Sequence, residues 1–274
     1  MPLPGGQQSD KLEFEPNTKE ALMQPEQLLT CALDIGEQML ISGAEIGRVE
    51  DSVRHICSAY GCVRTDVFTI TSSIVVSIED ADRNFYTQSR RITATSTDLT
   101  RLDKLNALSR RISATCPDYD FVQSQLAQIC TEKRYNLWVE ALASALIAGT
   151  FAVFFGGTWM DGLVAAPIGF CLRFVTWLLQ RARMNQIFTN VVASFLMCFT
   201  AIALTRNGIG NNVNMIIIGN IMLLIPGIAL TNSLRDMISG DIMSGMLRFF
   251  DAVLVAAAIA AGFILAASLF GGAV

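Results

Sequence analysis

Charged residues are scarce in this sequence of 274 residues, of which 16% are charged and 52% are hydrophobic. A soluble domain carries about 25% charged residues, so the composition argues against a wholly soluble protein. The scarcity is confined to one half, because 14 of 20 Lys and Arg residues and 19 of 24 Asp and Glu residues precede Leu137. We therefore expect the two halves to face different solvents, and the second half to face lipid.

Histidine and paired cysteines, the usual ligands of structural metals, are also nearly absent. His55 is the single histidine, and the seven cysteines are scattered without a CxxC pair. We therefore expect no metal site, no disulfide framework and no cofactor. The net charge of −4, without a basic stripe carrying interleaved aromatics, argues against a nucleic-acid partner.

The motifs of ATP-driven transport and of serine hydrolysis are missing as well. The sequence contains no GxxxxGK[ST] phosphate loop and no GxSxG nucleophile elbow. His55 shares a predicted helix with Arg48, Glu50 and Asp51, a setting typical of a packed or surface histidine. We therefore expect that the protein is not an enzyme.

A secretory signal peptide is not expected at the amino terminus. Residues 1–24 are polar and acidic and lack an apolar core, so they are predicted to form a disordered tail. The first long apolar segment would then direct the chain to the membrane.

Residues 25–134 show the periodicities of a small α+β domain. Two amphipathic helical stripes come first. Alternation over 68–78 then predicts a strand or a bulged pair, and a returning strand is predicted over 85–92. Two further helices follow, the first with Thr97 or Asp98 as its cap.

From residue 135 onward the pattern is that of a transmembrane bundle. Segments of about 20 residues, enough to cross the hydrocarbon core, are predicted near 137–156, 159–179, 187–205, 213–231 and 249–270. Basic residues lie mostly on one side of these segments, which predicts a cytoplasmic amino terminus and an outer carboxyl terminus. The expected fold is an all-α membrane bundle of about five transmembrane helices preceded by a small cytoplasmic α+β domain.

Polar groups inside the apolar segments are the first candidates for a transport site. Each is costly at membrane depth unless it is paired or hydrated. The candidates are Glu140, Asp161, Arg173, Asn190 and Asn220. A hydrated interfacial position explains Asp161 as well as function does, whereas apolar neighbours on both sides favour function for Glu140 and Arg173.

The richest polar stretch begins where the fourth predicted span ends. Pro226 lacks an amide hydrogen and Gly227 resists a regular helix. A helix break there is tolerated at membrane depth where it lines a cavity, as in many transporters; an ordinary cytoplasmic helix end is the alternative. The polar residues that follow are Thr231, Asn232, Arg235, Asp236, Asp241, Arg248 and Asp251.

Part of this stretch forms a polar stripe that enters the fifth predicted span. At 100° per residue, Asp241, Ser244, Arg248 and Asp251 fall on one helix face. We expect Arg248 to hold Asp251 charged, so that a substrate carboxylate competing for Arg248 would release Asp251 to take up a proton. The alternative is a static ion pair that fixes the start of the span.

Several motifs, in order, resemble those of the threonine/serine exporter family. Residues 43–51, GAEIGRVED, resemble its GAExxRVE motif, and Leu102 to Arg110 fits its LxxLNxLSR pattern. The stretch from Pro226 to Gly245 resembles its membrane signature. The resemblance extends from about residue 25 to the end of the sequence.

The resemblance implies export of small amino acids, or of small dicarboxylates such as succinate, driven by the proton gradient. The family occurs in fused and split forms, and this chain resembles the larger subunit of the split form. The partners implied are a small-molecule substrate, a second small membrane subunit or further copies of the chain, and the lipid of a bacterial inner membrane. A membrane-anchored hydrolase and a metabolite-sensing regulatory protein are the alternatives.

The motif residues Glu45, Arg48 and Glu50 admit two interpretations. Glu45 and Arg48 are three residues apart on a helix, so ion pairs could hold the domain together. Alternatively, the motif is a ligand or gating site that faces the bundle. The structural interpretation is favoured.

Overall fold

The computed structural model describes residues 23–132 and 135–270. The predicted tail over 1–24 lies almost entirely outside these residues, and so do Lys133 and Arg134, two of the basic residues that orient the predicted spans. Within the described residues, the chain forms an amino-terminal domain followed by a helical bundle.

The amino-terminal domain contains four helices and a three-stranded antiparallel sheet of order β1-β2-β3. Its elements are α1 (Pro25–Ile41), α2 (Ile46–Ala59), β1 (Arg64–Ile70), β2 (Ser73–Glu79), β3 (Phe85–Arg91), α3 (Leu99–Thr115) and α4 (Tyr119–Thr131). The alternation over 68–78 belongs to the β1–β2 hairpin, in which Ile70 pairs with Ser73. Of the two residues predicted to cap α3, Asp98 does so: its side chain accepts a hydrogen bond from the amide of Arg101 at 3.0 Å.

The helices cover one face of the sheet. Alternate residues of β2 point to the same side of the sheet, and those on this face are apolar. Ile74, Val76 and Ile78 are buried there. Gly36 lets α1 approach closely, since a Cβ at this position would lie 2.9 Å from the Ile74 side chain. This packing holds the turn between α1 and α2 in place, and that turn faces the bundle.

In the part that the structure describes, the bundle contains four helices that are long and apolar enough to cross a membrane. Its elements are α5 (Leu137–Phe154), α6 (Trp159–Arg181), α7 (Gln186–Arg206), α8 (Val213–Ile221), α9 (Gly227–Ile238) and α10 (Ile242–Leu269). Among the helices of residues 23–132 and 135–270, those that meet the length and composition of a span are α5, α6, α7 and α10. The fourth predicted span, 213–231, is divided between α8 and α9.

The interruption between α8 and α9 has a local chemical cause. The last turn of α8 tightens, with the amides of Leu223 and Leu224 bonded to carbonyls only three residues back. Pro226 has no amide hydrogen with which to continue the helix, and α9 begins at Gly227. The predicted break at Pro226 is therefore present in the structure.

Together, α8 and α9 lead from one end of the bundle to the other. At the end far from the amino-terminal domain, the amide of Asn212 donates to Asp161 at the start of α6, at 2.9 Å. At the same end, Arg206 of α7 donates to the carbonyl of Phe270, just after α10, at 2.6 Å. The carboxyl end of α9 instead lies against the amino-terminal domain.

Candidate functional site

The two motifs singled out in the sequence meet at one interface, where the α1–α2 turn contacts α9 and α10. Three hydrogen bonds and one ion pair join them, and we call this set the domain latch. The contacts are Asn232 Nδ2 to the Gly43 carbonyl at 3.2 Å, the Ile46 amide to Asp236 Oδ1 at 3.3 Å, Arg248 to the Ala44 carbonyl at 2.8 Å, and an ion pair between Arg235 and Glu45. The partners are about 190 to 200 residues apart in sequence.

Asp236 is the central carboxylate of the domain latch. Its side chain is 2% exposed, and its Oδ2 lies 3.4 Å from Nη1 of Arg248, which is itself 15% exposed. Asp236 also accepts from an amide at the start of α2, the end of a helix where negative charge is favoured. The positive charge of Arg248 offsets part of the cost of burying this carboxylate.

The structure corrects two of the predicted pairs. Among the described residues, Arg248 forms its ion pair with Asp236 and not with Asp251, because α9 folds back along α10 and brings Asp236 beside it. Likewise, Glu45 pairs with Arg235 rather than Arg48. Glu45 precedes the first turn of α2, so its side chain reaches α9.

A cavity of 640 Å³ lies inside the bundle at the helix break, and we call it the bundle cavity. Its volume is within the range of small-molecule pockets. The polar residues that line it from the bundle lie on one face of α6 and in the first turn of α7: Arg173, Thr176, Gln180, Gln186, Thr189 and Asn190. Residues 223–227 of the break form another wall, and residues 95–97 of the amino-terminal domain close one side.

A second cavity of 640 Å³, which we call the mouth cavity, lies between the amino-terminal domain and α10. Asn232, Arg248 and Asp251 line it from the bundle, and Asp251 is exposed. Residues 95–97 and Pro226 border both cavities. The two cavities are therefore neighbours, separated by the break and this short loop.

Arg173 is the one charged residue among those that line the bundle cavity in the described part of the chain. Its Nε donates to Glu140 Oε2 of α5 at 2.9 Å, and its Nη2 contacts the same oxygen. Nη1 makes only a long contact of 3.4 Å with Thr176. Glu140 and Arg173, two of the predicted candidates, thus form one ion pair. Arg173 lines the bundle cavity, whereas Glu140 is not among the lining residues.

Asp161 and Asn220 lie away from both cavities and connect helices instead. Asp161 is buried and accepts the amides of Asn211 and Asn212, at 2.7 and 2.9 Å, which ties the α7–α8 loop to α6. Asn220 donates from Nδ2 to the carbonyl of Ala165 at 3.3 Å, which joins α8 to α6. Their geometry is that of structural anchors.

The remaining predicted candidates also lie outside the cavities. Thr231 is exposed and donates to a carbonyl of its own helix. Asp241 precedes α10 and adds negative charge near Asp236. Arg48 is exposed, and Glu50 accepts the Thr69 amide at 3.0 Å, which ties α2 to β1.

Several uncharged polar residues that border the cavities were not among the predicted candidates. Residues 95–97 line both cavities, and Thr189 lines the bundle cavity at 3% exposure with no hydrogen-bond partner for its Oγ1. A usable signal existed for α6 and α7, because Arg173, Thr176 and Gln180 share a helical face and Thr189 adjoins Asn190. For residues 95–97, local sequence carries no such signal.

Comparison with known proteins points to one family. The family described as "Putative threonine/serine exporter", ThrE, matches residues 30–270. The chain is 28% identical over 247 residues to the "Threonine/serine exporter" of Corynebacterium glutamicum. The matched region covers 86% of this chain and 50% of that protein. The chain spans about half the length of the curated exporters it matches.

A shorter relative matches over nearly its whole length. The chain is 23% identical over 244 residues to the "Probable succinate transporter subunit YjjP" of Klebsiella aerogenes, which covers 89% of this chain and 92% of that protein. No solved structure matches.

Proposed function

Since this chain belongs to the threonine/serine exporter family, we propose that it is a subunit of a secondary transporter. It exports a small amino acid or a small dicarboxylate from a bacterial cell, driven by the proton gradient. The names of its relatives supply both substrate classes.

The observation that carries this proposal is the bundle cavity. A break in a membrane helix, polar side chains from two long helices and an arginine surround a space of 640 Å³. Broken helices that border a cavity are the usual setting of transporter substrate sites. The amino-terminal domain lies over the cavity and would control access from the cytoplasm.

Proton coupling is assigned to the carboxyl groups beside the cavities. Asp251 lines the mouth cavity and is exposed, so water can reach its carboxyl group. Glu140 pairs with Arg173 at the bundle cavity. Because the gradient drives protons inward, export requires that substrate and proton occupy the site alternately, and these two carboxyl groups are the proposed proton carriers.

A second membrane subunit would complete the transporter. Support comes from the exporters of about twice this length and from the relative whose name includes the word subunit. The purified chain in proteoliposomes is then expected to give no substrate flux, and robust flux from this chain alone would contradict a requirement for a partner.

Deletion of the gene in its own host is expected to reduce efflux of threonine or succinate, and plasmid-borne wild type to restore it. Asn190→Leu should fail to restore efflux, because it replaces a polar cavity wall with an apolar side chain. Thr231→Ala is the matched control, since Thr231 is exposed and outside both cavities. The measurement is efflux of labelled solute at equal membrane levels. Unchanged efflux of both solutes on deletion, or full activity of Asn190→Leu, would refute the proposal.

The amino-terminal domain is proposed to be cytoplasmic and residue 274 to lie outside. In this arrangement α8 and α9 jointly make the fourth of five crossings; at 1.5 Å per residue, α8 alone is roughly 14 Å long, too short to cross. Alkaline phosphatase fused after Val274 is expected to be active, and a cytoplasmic reporter at the same position inactive. The opposite pattern would mean an even number of crossings.

A further inference from the structure

We infer that Cys57 and Cys62 are a peroxide-sensitive modification site, at which the two thiols are oxidised to a reversible disulfide. Both lie in the amino-terminal domain, at the junction between α2 and β1. Neither is among the residues that line the bundle cavity or the mouth cavity, and neither belongs to the domain latch. The inference therefore stands apart from the proposed transport function.

The geometry of this site comes from the way α2 ends. The chain turns at Gly61, whose φ of +86° favours glycine. The Gly61 amide donates to the Ser58 carbonyl at 3.1 Å. The Cys62 amide donates to the Cys57 carbonyl at 3.2 Å. These two bonds define a Schellman motif, in which side chains at the positions of Cys57 and Cys62 frequently touch. The end of the helix thus holds the two cysteines side by side.

The two side chains are in contact but differ in exposure. Their thiols share a hydrogen bond. Cys57 is 0% exposed and belongs to the core of the domain, whereas Cys62 is partly exposed and packs against that core. Thiols in contact can be joined without the backbone movement that distant cysteines require. A water-soluble oxidant can therefore reach Cys62, with Cys57 directly beneath it.

The same contact makes the two thiols unequal in reactivity. The hydrogen bond with Cys57 lowers the pKa of Cys62, against the opposing effects of burial and of the nearby Asp80 carboxylate. The hydrogen bond with Cys62, together with burial, raises the pKa of Cys57. The thiolate, and not the thiol, is the reactive form of cysteine. Cys62 is thus the attacking thiol and Cys57 the resolving thiol, an arrangement common at redox-sensitive cysteines.

The oxidation balances with hydrogen peroxide as the oxidant. The Cys62 thiolate attacks one peroxide oxygen, the O–O bond breaks, and the departing hydroxide takes up a proton to give water. This step leaves a sulfenic acid at Cys62. The Cys57 sulfur then attacks the Cys62 sulfur, and the sulfenic hydroxyl leaves with the Cys57 proton as a second water. A dithiol reductant restores both thiols by thiol–disulfide exchange.

The other cysteines of the domain core have different neighbours. Cys31 is contacted by the Gln123 amide nitrogen at 3.7 Å. Cys116 donates to the carbonyl of Ala59 at 3.2 Å, which places it near the same end of α2. Cys116 is therefore the cysteine to examine as an alternative partner in any disulfide at this site.

The test uses the purified full-length chain in detergent, treated with hydrogen peroxide while folded. The protein is then unfolded, its remaining thiols are blocked with N-ethylmaleimide, and trypsin releases residues 55–64, a peptide that contains both cysteines. Mass spectrometry should show this peptide without label and lighter by two hydrogen atoms. Treatment with dithiothreitol before blocking should restore two labels.

Single substitutions assign the two roles. Cys62→Ser should slow the oxidation of Cys57 by about tenfold or more, since the exposed thiol of lower pKa is removed. Cys57→Ala should leave Cys62 as a sulfenic acid that dimedone labels, because no resolving thiol is present. Cys130→Ser is the matched control, since Cys130 is a partly exposed thiol in α4. This variant should form the disulfide at the wild-type rate.

The wild-type protein decides the outcome even if Cys57→Ala folds poorly. Two labels on peptide 55–64 after peroxide treatment would overturn the inference. A disulfide between Cys62 and Cys116, or a sulfinic acid at Cys62 of wild type, would do the same. A disulfide within the peptide in wild type and in Cys130→Ser, absent from Cys62→Ser, would support the site whether or not the chain transports a solute.

Discussion

Replacement of Asp236 by alanine is expected to destabilise the docked amino-terminal domain by about 3 kcal/mol, near the lower end of the range for breaking a buried ion pair. The change leaves Arg248, only 15% exposed, without its carboxylate partner. It also removes the acceptor for the Ile46 amide at the start of α2. Thermal unfolding of the detergent-solubilised protein should show a lower Tm, and efflux should fall with it.

The control for Asp236→Ala lies one residue away. Arg235→Ala removes the ion pair with Glu45, but the arginine side chain is 55% exposed. Exposed pairs contribute about 0–1 kcal/mol, so the Tm of this variant should stay close to wild type. An equal loss in both variants would show that the domain latch does not depend on the buried Asp236–Arg248 pair.

Replacement of Gly262 by alanine is expected to be nearly as damaging, although it adds a single methyl group. A Cβ at Gly262 would lie 2.3 Å from the carbonyl oxygen of Val191, so α10 must move away from α7. This movement would also break the 2.7 Å hydrogen bond from Ser194 Oγ to the carbonyl of Ile259. Overpacking of this kind costs about 1–3 kcal/mol or more. The measurements are membrane abundance and Tm.

Gly47→Ala provides the matched comparison. Apart from its chain neighbours and the backbone of its own helix, nothing lies within 4 Å of a Cβ built at Gly47 in α2. Alanine is favoured over glycine inside a helix by about 0.5–1 kcal/mol, so this variant should be slightly more stable than wild type. A Gly262→Ala variant as stable as Gly47→Ala would mean that α7 and α10 are not held at this distance.

Local patterns accounted for the elements that local chemistry controls. Hydropathy located α5, α6, α7 and α10, since an apolar run of this length has few alternatives to a membrane helix. The α3 cap at Asp98 and the break before Gly227 likewise follow from a side-chain acceptor and a missing amide hydrogen. Hydropathy alone does not report where a helix stops, so the division of segment 213–231 between α8 and α9 was indicated by Pro226 and not by hydropathy.

The expected coupling of Arg248 to Asp251 illustrates the limit of helical periodicity. Spacing correctly places both residues toward one side of α10, where both line the mouth cavity. Spacing along one helix does not show that α9 folds back along α10. That fold places the buried Asp236 beside Arg248, which pairs with it instead of with Asp251. The role of Asp251 as a proton carrier therefore stays a prediction, now without the ion pair that motivated it.

By itself, the sequence determined the membrane class, the division into a polar and an apolar half, and the family motifs. Only the tertiary structure decided which of those motifs contact one another. The turn at 43–46 and residues of α9 and α10 form the domain latch. Glu140 of α5 pairs with Arg173 of α6. The physical reason is range. Propensity, capping and hydropathy act within a few residues, whereas these polar pairs join groups 33 to 204 residues apart that only packing brings into contact.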